Sequence, residues 1–94
     1  MSQYTQKDLK LLLVDMKEDM LKEAIVKAEE AIDKFKLLME IAEFIKTSFD
    51  SMFLPPWHVI VGQKFGSRVT HEIGTLAYFI LGNMAFFIFR GLEE

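Results

Sequence analysis

A proline pair, Pro55-Pro56, divides this 94-residue chain into two halves of opposite character. Before the pair, apolar residues recur at the three- and four-residue spacing of amphipathic helices, among many charged side chains. After it, short runs rich in valine, isoleucine and phenylalanine predict strands, and residues 54–94 carry only six charged side chains. Proline disrupts the turn before it, so we expect the last helix to end ahead of the pair. The pattern predicts an α+β fold in a single domain spanning residues 1–94.

The first predicted elements are a short strand and the start of a helix. Residues 8–14 alternate loosely, and an extended chain would place Leu9, Leu11 and Leu13 on one side. Asp15 stands three residues before Glu18, which is the spacing of a capping box. We therefore expect a strand that gives way to a helix at Asp15.

Two helical stripes follow, and the connection between them is open on local signals alone. The first stripe ends near Phe35 and the second begins near Leu38, with no glycine or proline between them. One uninterrupted helix of about 36 residues would be ~54 Å long, which is awkward in so small a domain. The length therefore favours a helical hairpin over a single helix.

Four strands are predicted after the prolines: Trp57–Gly62, Phe65–His71, Thr75–Leu81 and Met84–Arg90. Gly82-Asn83 is a typical two-residue hairpin turn. The run from Ala85 to Phe89 does not alternate, which indicates a strand buried on both faces. Two helices can cover one face of the sheet, and a second copy of the chain is the economical cover for the other. The sequence thus predicts a homodimer.

The polar residues of the second predicted strand do not form a catalytic or metal set. His71-Glu72 begins like a zinc-protease motif, but position 75 is Thr75 rather than a second histidine. Ser67 and His71 project to the same side of an extended strand, yet their Cα atoms would lie ~13 Å apart. That distance is too long for a hydrogen bond between a nucleophile and its base. The chain also has no cysteine, which excludes a thiolate metal site. We expect a non-enzyme without cofactor or metal.

Charge and hydropathy exclude two further classes of partner. The net charge is −3 and no basic tract is present, which argues against nucleic-acid binding. The most apolar run, residues 76–89, is shorter than the ~20 residues of a membrane-spanning helix and is interrupted by the hairpin turn. No leader pattern is visible at the N-terminus. We expect a soluble, intracellular protein that does not insert into membranes.

Residues 57–72 also carry a specific pattern: a Trp-His start, then Ile-Val-Gly, then Phe-Gly-Ser-x-Val-Thr-His-Glu. The matching residues are Trp57, His58, Ile60, Val61, Gly62, Phe65, Gly66, Ser67, Val69, Thr70, His71 and Glu72. This run closely resembles the cytoplasmic dynein light chain family, the small hub light chains. The resemblance continues through Tyr78-Phe79 and Leu81-Gly82, and more loosely through the helices.

The resemblance implies a strand-swapped homodimer in which two helices per subunit pack on antiparallel sheets. By motif position the swapped strand is Phe65–Thr70. Partner proteins, among them dynein intermediate chains, are expected to add a short extended segment to its edge, in a groove against the partner subunit's second helix. Two grooves per dimer make binding bivalent. The implied location is the cytoplasm, in the microtubule-associated dynein complex.

The resemblance also implies which residues form the groove and the interface. The groove residues are Lys64, Phe65, Gly66, Ser67, Arg68, Val69, Thr70, His71, Leu76, Tyr78, Ile80, Leu38 and Met39. The dimer-interface residues are His58, Lys64, Phe65, Gly66, Ser67 and Val69.

Four of the groove positions depart from the family's usual residues. Arg68 stands where tyrosine is usual, Met39 where lysine is, Ile80 where tyrosine is frequent and Leu76 where phenylalanine is. We expect altered peptide preference with the same mode of binding. An alternative hypothesis is a structural dimer with a degenerate groove, acting as a packing subunit of a cytoskeletal or surface-layer assembly.

Overall fold

The computed structural model describes residues 9–62 and 75–91. The elements in chain order are β1 (Leu9–Met16), α1 (Glu18–Lys34), α2 (Leu38–Met52), β2 (Trp57–Gly62), β3 (Thr75–Leu81) and β4 (Met84–Arg90). The four strands form one antiparallel sheet in the order β1-β3-β4-β2. The predicted fold of two helices on an antiparallel sheet is confirmed. The predicted strand Phe65–His71 lies outside the described residues.

The helical hairpin is confirmed, because three residues separate α1 from α2. At its end α1 is capped by Phe35, whose backbone N–H donates to the carbonyl oxygen of Ala31. The buried residues of the two helices are Ala24, Ile25, Ala28 and Ala31 on α1, and Ile41, Ile45 and Phe49 on α2. The small alanines let α1 approach its neighbours closely, while the larger side chains of α2 fill the core.

The predicted capping box at Asp15 and Glu18 is wrong. Strand β1 continues through Met16, and Asp15 pairs with Leu76 of β3 in the ladder. The cap of α1 is Lys17, which makes no side-chain capping bond. Strand pairing thus keeps Asp15 in extended backbone, and the acidic first turn of α1 instead suits the positive end of the helix dipole.

The predicted alternation of Leu9, Leu11 and Leu13 is also wrong. Leu11 pairs with Phe79 and Leu13 pairs with Tyr78, so the register shifts between them. One extra residue in β1 reverses the side-chain pattern from that point. Leu13 therefore lies on the opposite face of the sheet from Leu11.

The hairpin between β3 and β4 has the turn that the sequence predicts. Gly82 has a φ of 66°, in the left-handed region that favours glycine, and Leu81 pairs with Met84 across the turn. Helix α2 ends at Met52, ahead of Pro55-Pro56, whose peptide bond is cis. In the portion of the chain that the structure describes, no helix is both long and apolar enough to cross a membrane.

Two hydrophobic clusters lie on the two faces of the sheet. The inner cluster joins the buried helix residues to Trp57, Ala77, Phe79, Leu81, Phe86 and Ile88. The outer cluster consists of Leu76, Phe87 and Phe89, with Tyr78 packed against it. Neighbouring residues of β4 thus belong to different clusters, and Ala85–Phe89 are all buried. The prediction of a strand buried on both faces is confirmed.

Candidate functional site

The sheet face turned away from the helices is the first part of the candidate site. We call it the outer face, and its residues are Lys10, Leu13 and Asp15 of β1, Leu76, Tyr78 and Ile80 of β3, Ala85, Phe87 and Phe89 of β4, and His58 and Ile60 of β2. The rings of Tyr78 and Phe87 stack with centroids 5.2 Å apart, and Phe87 meets Phe89 edge-on at the same distance. The centre of the outer face is therefore a set of aromatic rings in contact with one another.

His58 lies at one end of the outer face. Its imidazole is exposed and stacks on Phe89, with 5.3 Å between ring centroids. The backbone of Gly91 passes directly beside this ring. A Cβ at Gly91 would lie 2.7 Å from His58 Nε2, which is shorter than the van der Waals separation between non-bonded carbon and nitrogen atoms. The absence of a side chain at Gly91 thus allows His58 to rest on Phe89.

Part of the outer face remains uncovered in the single chain. Ile60 is 41% exposed and Leu13 is 54% exposed, whereas Phe87 is only 3% exposed. Because β4 is already buried within one chain, its burial alone does not require a second copy. The uncovered apolar surface lies instead on the two outermost strands, β1 and β2.

The two sheet edges differ in their suitability for pairing. Among residues 9–62 and 75–91, β2 pairs only with β4, and β1 only with β3. The pairing of β2 with β4 runs from Trp57 to Gly62 without a register shift, while β1 contains its bulge at Leu12. A bulge twists an edge away from further pairing. The edge of β2 is therefore the more regular template for an added strand.

The predicted groove residues fall into two separate groups. Leu76, Tyr78 and Ile80 come together on the outer face, at alternate positions of β3. Leu38 and Met39 lie at the start of α2, in the helical layer on the other side of the sheet, and are 44% and 76% exposed. The sheet separates the two groups within one chain. The remaining groove residues, Lys64 to His71, lie outside the described residues.

A hydrogen bond fixes the position of β2 relative to α2. Asp50 Oδ1 accepts from the backbone N–H of Trp57 at 2.9 Å, and Asp50 Oδ2 accepts from the Lys46 ammonium. The Trp57 ring is buried and meets Phe49 edge-on, with centroids 4.8 Å apart. These contacts hold the strand that carries His58 and Ile60 against the end of the helix.

The environment of Asp50 favours its charged form. Partial burial raises its pKa, but the hydrogen bonds from Lys46 and Trp57 and the charges of Lys46 and His58 outweigh burial, so the pKa is lowered. The role of Asp50 in holding β2 against the end of α2 was not identified from the sequence. A signal was present, because an acidic residue in the last turn of a helix is unfavourable unless a partner compensates for it.

The described residues offer no obvious metal centre. Within ranges 9–62 and 75–91, no three His, Asp or Glu side chains are arranged to hold a metal ion. The outer face carries mainly aromatic and aliphatic groups, together with the Tyr78 hydroxyl, the His58 imidazole and the Lys10 and Asp15 side chains of β1. Such a surface is suited to packing and to strand addition.

Comparisons with known proteins give a consistent result. Residues 8–91 match the family model described as dynein light chain type 1. The chain is 47% identical, over 77 residues, to a protein of Emericella nidulans named "Dynein light chain, cytoplasmic", and the match covers 82% of each chain. Light chains of this family are generally non-catalytic structural subunits.

Solved structures support the same fold. The dynein light chain-like domain of a Fasciola hepatica calcium-binding protein, in a mercury derivative, superposes with a TM-score of 0.81, covering 98% of this chain and 100% of that one. A native structure of the same domain gives 0.80, covering 96% and 94%. Both are 14% identical to this chain, so they support the fold alone.

Proposed function

The chain belongs to the dynein light chain family, and we propose that it works as a non-catalytic homodimer that holds partner chains side by side. Each dimer would bind two short linear segments by strand addition, in grooves formed where the subunits meet. Dynein intermediate chains are the proposed partners, and the cytoplasm, in a microtubule-associated dynein complex, is the proposed location. The name of the Emericella nidulans relative supports this assignment.

The separation of the predicted groove residues is the main structural support for a shared groove. Tyr78 and Ile80 face outward from the sheet, whereas Leu38 and Met39 belong to the helical layer behind it. One bound segment cannot contact both groups of a single chain. If each groove takes its sheet residues from one subunit and its helix residues from the other, both groups can contact the same segment.

The edge of β2 is the proposed site for the exchanged strand. The pairing of β2 with β4 is regular. The exposed side chains of His58 and Ile60 present aromatic and aliphatic surface beside the edge of β2. An added strand would supply hydrogen-bond partners to the outward-pointing backbone groups and cover Ile60. Burying such apolar surface contributes about 25 cal/mol per Å². His58 would then lie at the subunit interface, together with the other proposed interface residues, Lys64, Phe65, Gly66, Ser67 and Val69.

The structural dimer with a degenerate groove is the second candidate function. The observation that favours it is the apolar character of three groove positions, Met39, Leu76 and Ile80, none of which offers a charge or hydroxyl to a peptide. Under this second candidate function the protein would still form a dimer but would bind no linear segment.

Two measurements separate these proposals. Sedimentation at micromolar concentration should give a mass near twice 10.9 kDa, and a stable monomer would contradict both candidates. Tiled peptides from dynein intermediate chains should then include at least one that binds the dimer with two sites per dimer. Failure of every tiled segment to bind, with the dimer intact, would favour the degenerate groove.

A further inference from the structure

A concave surface lies on the side of α2 that faces away from the sheet. It is a cleft of about 500 Å³ lined by Phe35, Met39, Glu40, Glu43, Phe44 and Thr47. The rings of Phe35 and Phe44 form its wall, with centroids 5.7 Å apart and planes inclined at 51°. The buried side of α2 carries Ile41, Ile45 and Phe49 instead. The cleft is therefore separate from the outer face of the sheet.

The cleft has charged residues of one sign in its lining. Its lining contains two glutamates and no basic residue. Both glutamates are exposed, and the Thr47 hydroxyl donates to Glu43 Oε2 at 3.2 Å, which orients that carboxylate. An apolar cleft with carboxylates at its rim complements a ligand that is apolar along its stem and cationic at its end.

A positively charged side chain of the protein itself already occupies the position that the cationic end of such a ligand would take. The ammonium of Lys34 lies 5.1 Å from the centroid of the Phe44 ring, within the range of a cation–π contact. Lys34 comes from the end of α1 and is exposed, so it can rotate away. The geometry shows that the Phe44 ring accepts a positive charge on one of its faces.

We propose that this cleft binds an arginine side chain of a partner protein, with an apolar neighbour of that arginine resting on Met39. A guanidinium is planar and can stack on the Phe44 ring while it donates to Glu40 and Glu43. Met39 is 76% exposed and its flexible thioether adapts to an apolar side chain. The cleft shares Met39 with the proposed strand-addition groove, whereas Glu40, Glu43 and Phe44 are not groove residues and all belong to one chain.

The test uses a capped peptide, acetyl-Leu-Arg-Leu-Gly-amide, titrated into the protein at low ionic strength. Methyl resonances of Thr47 and Met39 report on the cleft by NMR. We expect saturable shifts at both methyls, and an affinity about five-fold or more above that of the same peptide with glutamine in place of arginine. Equal affinity for the two peptides would overturn the proposal.

Matched variants locate the binding. Glu43→Gln should weaken binding of the arginine peptide about two- to five-fold, since an exposed ion pair is lost. Lys34→Met should strengthen it, because the internal competitor for Phe44 is removed. Glu23→Gln, about three turns from Lys34 along α1, makes the same charge change outside the cleft and should have no effect.

Other occupants would give different results. Equal weakening by Glu43→Gln and Glu23→Gln would mean attraction to net charge alone, and would overturn the proposal. Methyl shifts that appear on concentrating the protein without peptide would mean that a second copy of the chain covers the cleft. That result would also overturn the proposal. Glu43→Gln should leave binding of an intermediate-chain segment unchanged, because Glu43 is not a groove residue. Equal weakening of both ligands by Glu43→Gln would place the arginine in the groove and overturn the proposal.

Discussion

The backbone N–H of Trp57 donates to Asp50 Oδ1 across the proline pair, with 2.9 Å between nitrogen and oxygen. The bond joins the last turn of α2 to the first residue of β2. Because Lys46 holds the other oxygen of the same carboxylate, the Asp50 side chain has little freedom to leave. The position of β2, and with it His58 and Ile60 on the outer face, thus depends on one acidic side chain.

Asp50→Asn should make the folded protein less stable near neutral pH, by about 1–2 kcal/mol. The lowered pKa of Asp50 means that the folded state keeps this carboxylate ionised at lower pH than the unfolded chain does. Its stabilising contribution is therefore present above the unfolded value of ~3.9 and is lost as pH falls through the folded value. The difference between wild type and variant should shrink below about pH 4.

Urea unfolding followed by the fluorescence of Trp57, the single tryptophan, measures this difference between pH 7 and pH 2.5. Glu23→Gln serves as the control for loss of one negative charge. Parallel stability curves for wild type and Asp50→Asn over the whole range would show that the bond contributes nothing pH-dependent.

Glu29→Gln should leave stability unchanged or raise it slightly at pH 7, by roughly 0.3 kcal/mol. Burial, followed by the nearby charge of Asp33, raises the pKa of Glu29, so its ionised form is disfavoured in the folded state. A raised pKa means that folding takes up protons, and wild-type stability should gain relative to the variant as pH falls toward ~4.3.

The neighbouring residue supplies the control for Glu29. Glu30 pairs with Lys27 at 3.3 Å, so Glu30→Gln should be neutral or slightly destabilising at pH 7. Thermal unfolding of both variants at pH 7 and pH 4 is sufficient. A clear loss of stability in Glu29→Gln at pH 7 would be the opposite of the expected sign.

Gly91→Ala should weaken the proposed dimer while leaving each subunit folded. The new methyl group would lie too close to His58 Nε2, and the exposed imidazole can relieve the clash by rotating off Phe89. Sedimentation equilibrium should then give a higher dimer dissociation constant, with the circular dichroism spectrum unchanged.

A double-mutant cycle tests the mechanism of this effect. In the His58→Ala background no ring remains for the methyl group to displace, so Gly91→Ala should then change dimer affinity little. If Gly91→Ala weakens the dimer equally in both backgrounds, displacement of His58 is not the cause.

The elements that the sequence predicts well are those whose signals are local. The bounds of β2, β3 and β4 follow from prolines, a glycine turn and apolar runs, and the two helices follow from their periodicity. The hairpin between the helices has no local signal and is favoured only because a single helix would be too long for the domain. The errors in β1 have a tertiary cause, since pairing with β3 both keeps Asp15 extended and places the bulge at Leu12. No local pattern around these residues specifies that pairing.

Like the fold, the candidate site could be predicted from the sequence only in part. The resemblance assigns Leu76, Tyr78 and Ile80 to one groove, and the structure places these three residues on one face of the sheet. The Asp50–Trp57 bond spans seven residues and a change of element, and the cleft at Phe44 needs the hairpin to bring Phe35 beside α2. Such contacts depend on how elements pack, which residue spacing alone does not specify.

The central claim is that each peptide groove is built from two subunits, and complementation between two defective variants tests it. Met39→Glu alters the helix side of the groove at an exposed position. Ile80→Glu alters the sheet side, and its new carboxylate would lie opposite Lys10 of β1, which helps the variant to fold. Each homodimer alone should bind the intermediate-chain segment at least about ten-fold more weakly than wild type.

The decisive measurement is isothermal titration of the mixed dimer of these two variants, purified with two different tags. If each groove uses the sheet of one subunit and the helix of the other, the mixed dimer contains one groove with neither substitution and one with both. We predict wild-type affinity at one site per dimer. A mixed dimer that binds as weakly as its parents would contradict the claim, because it would place both sides of each groove in the same chain.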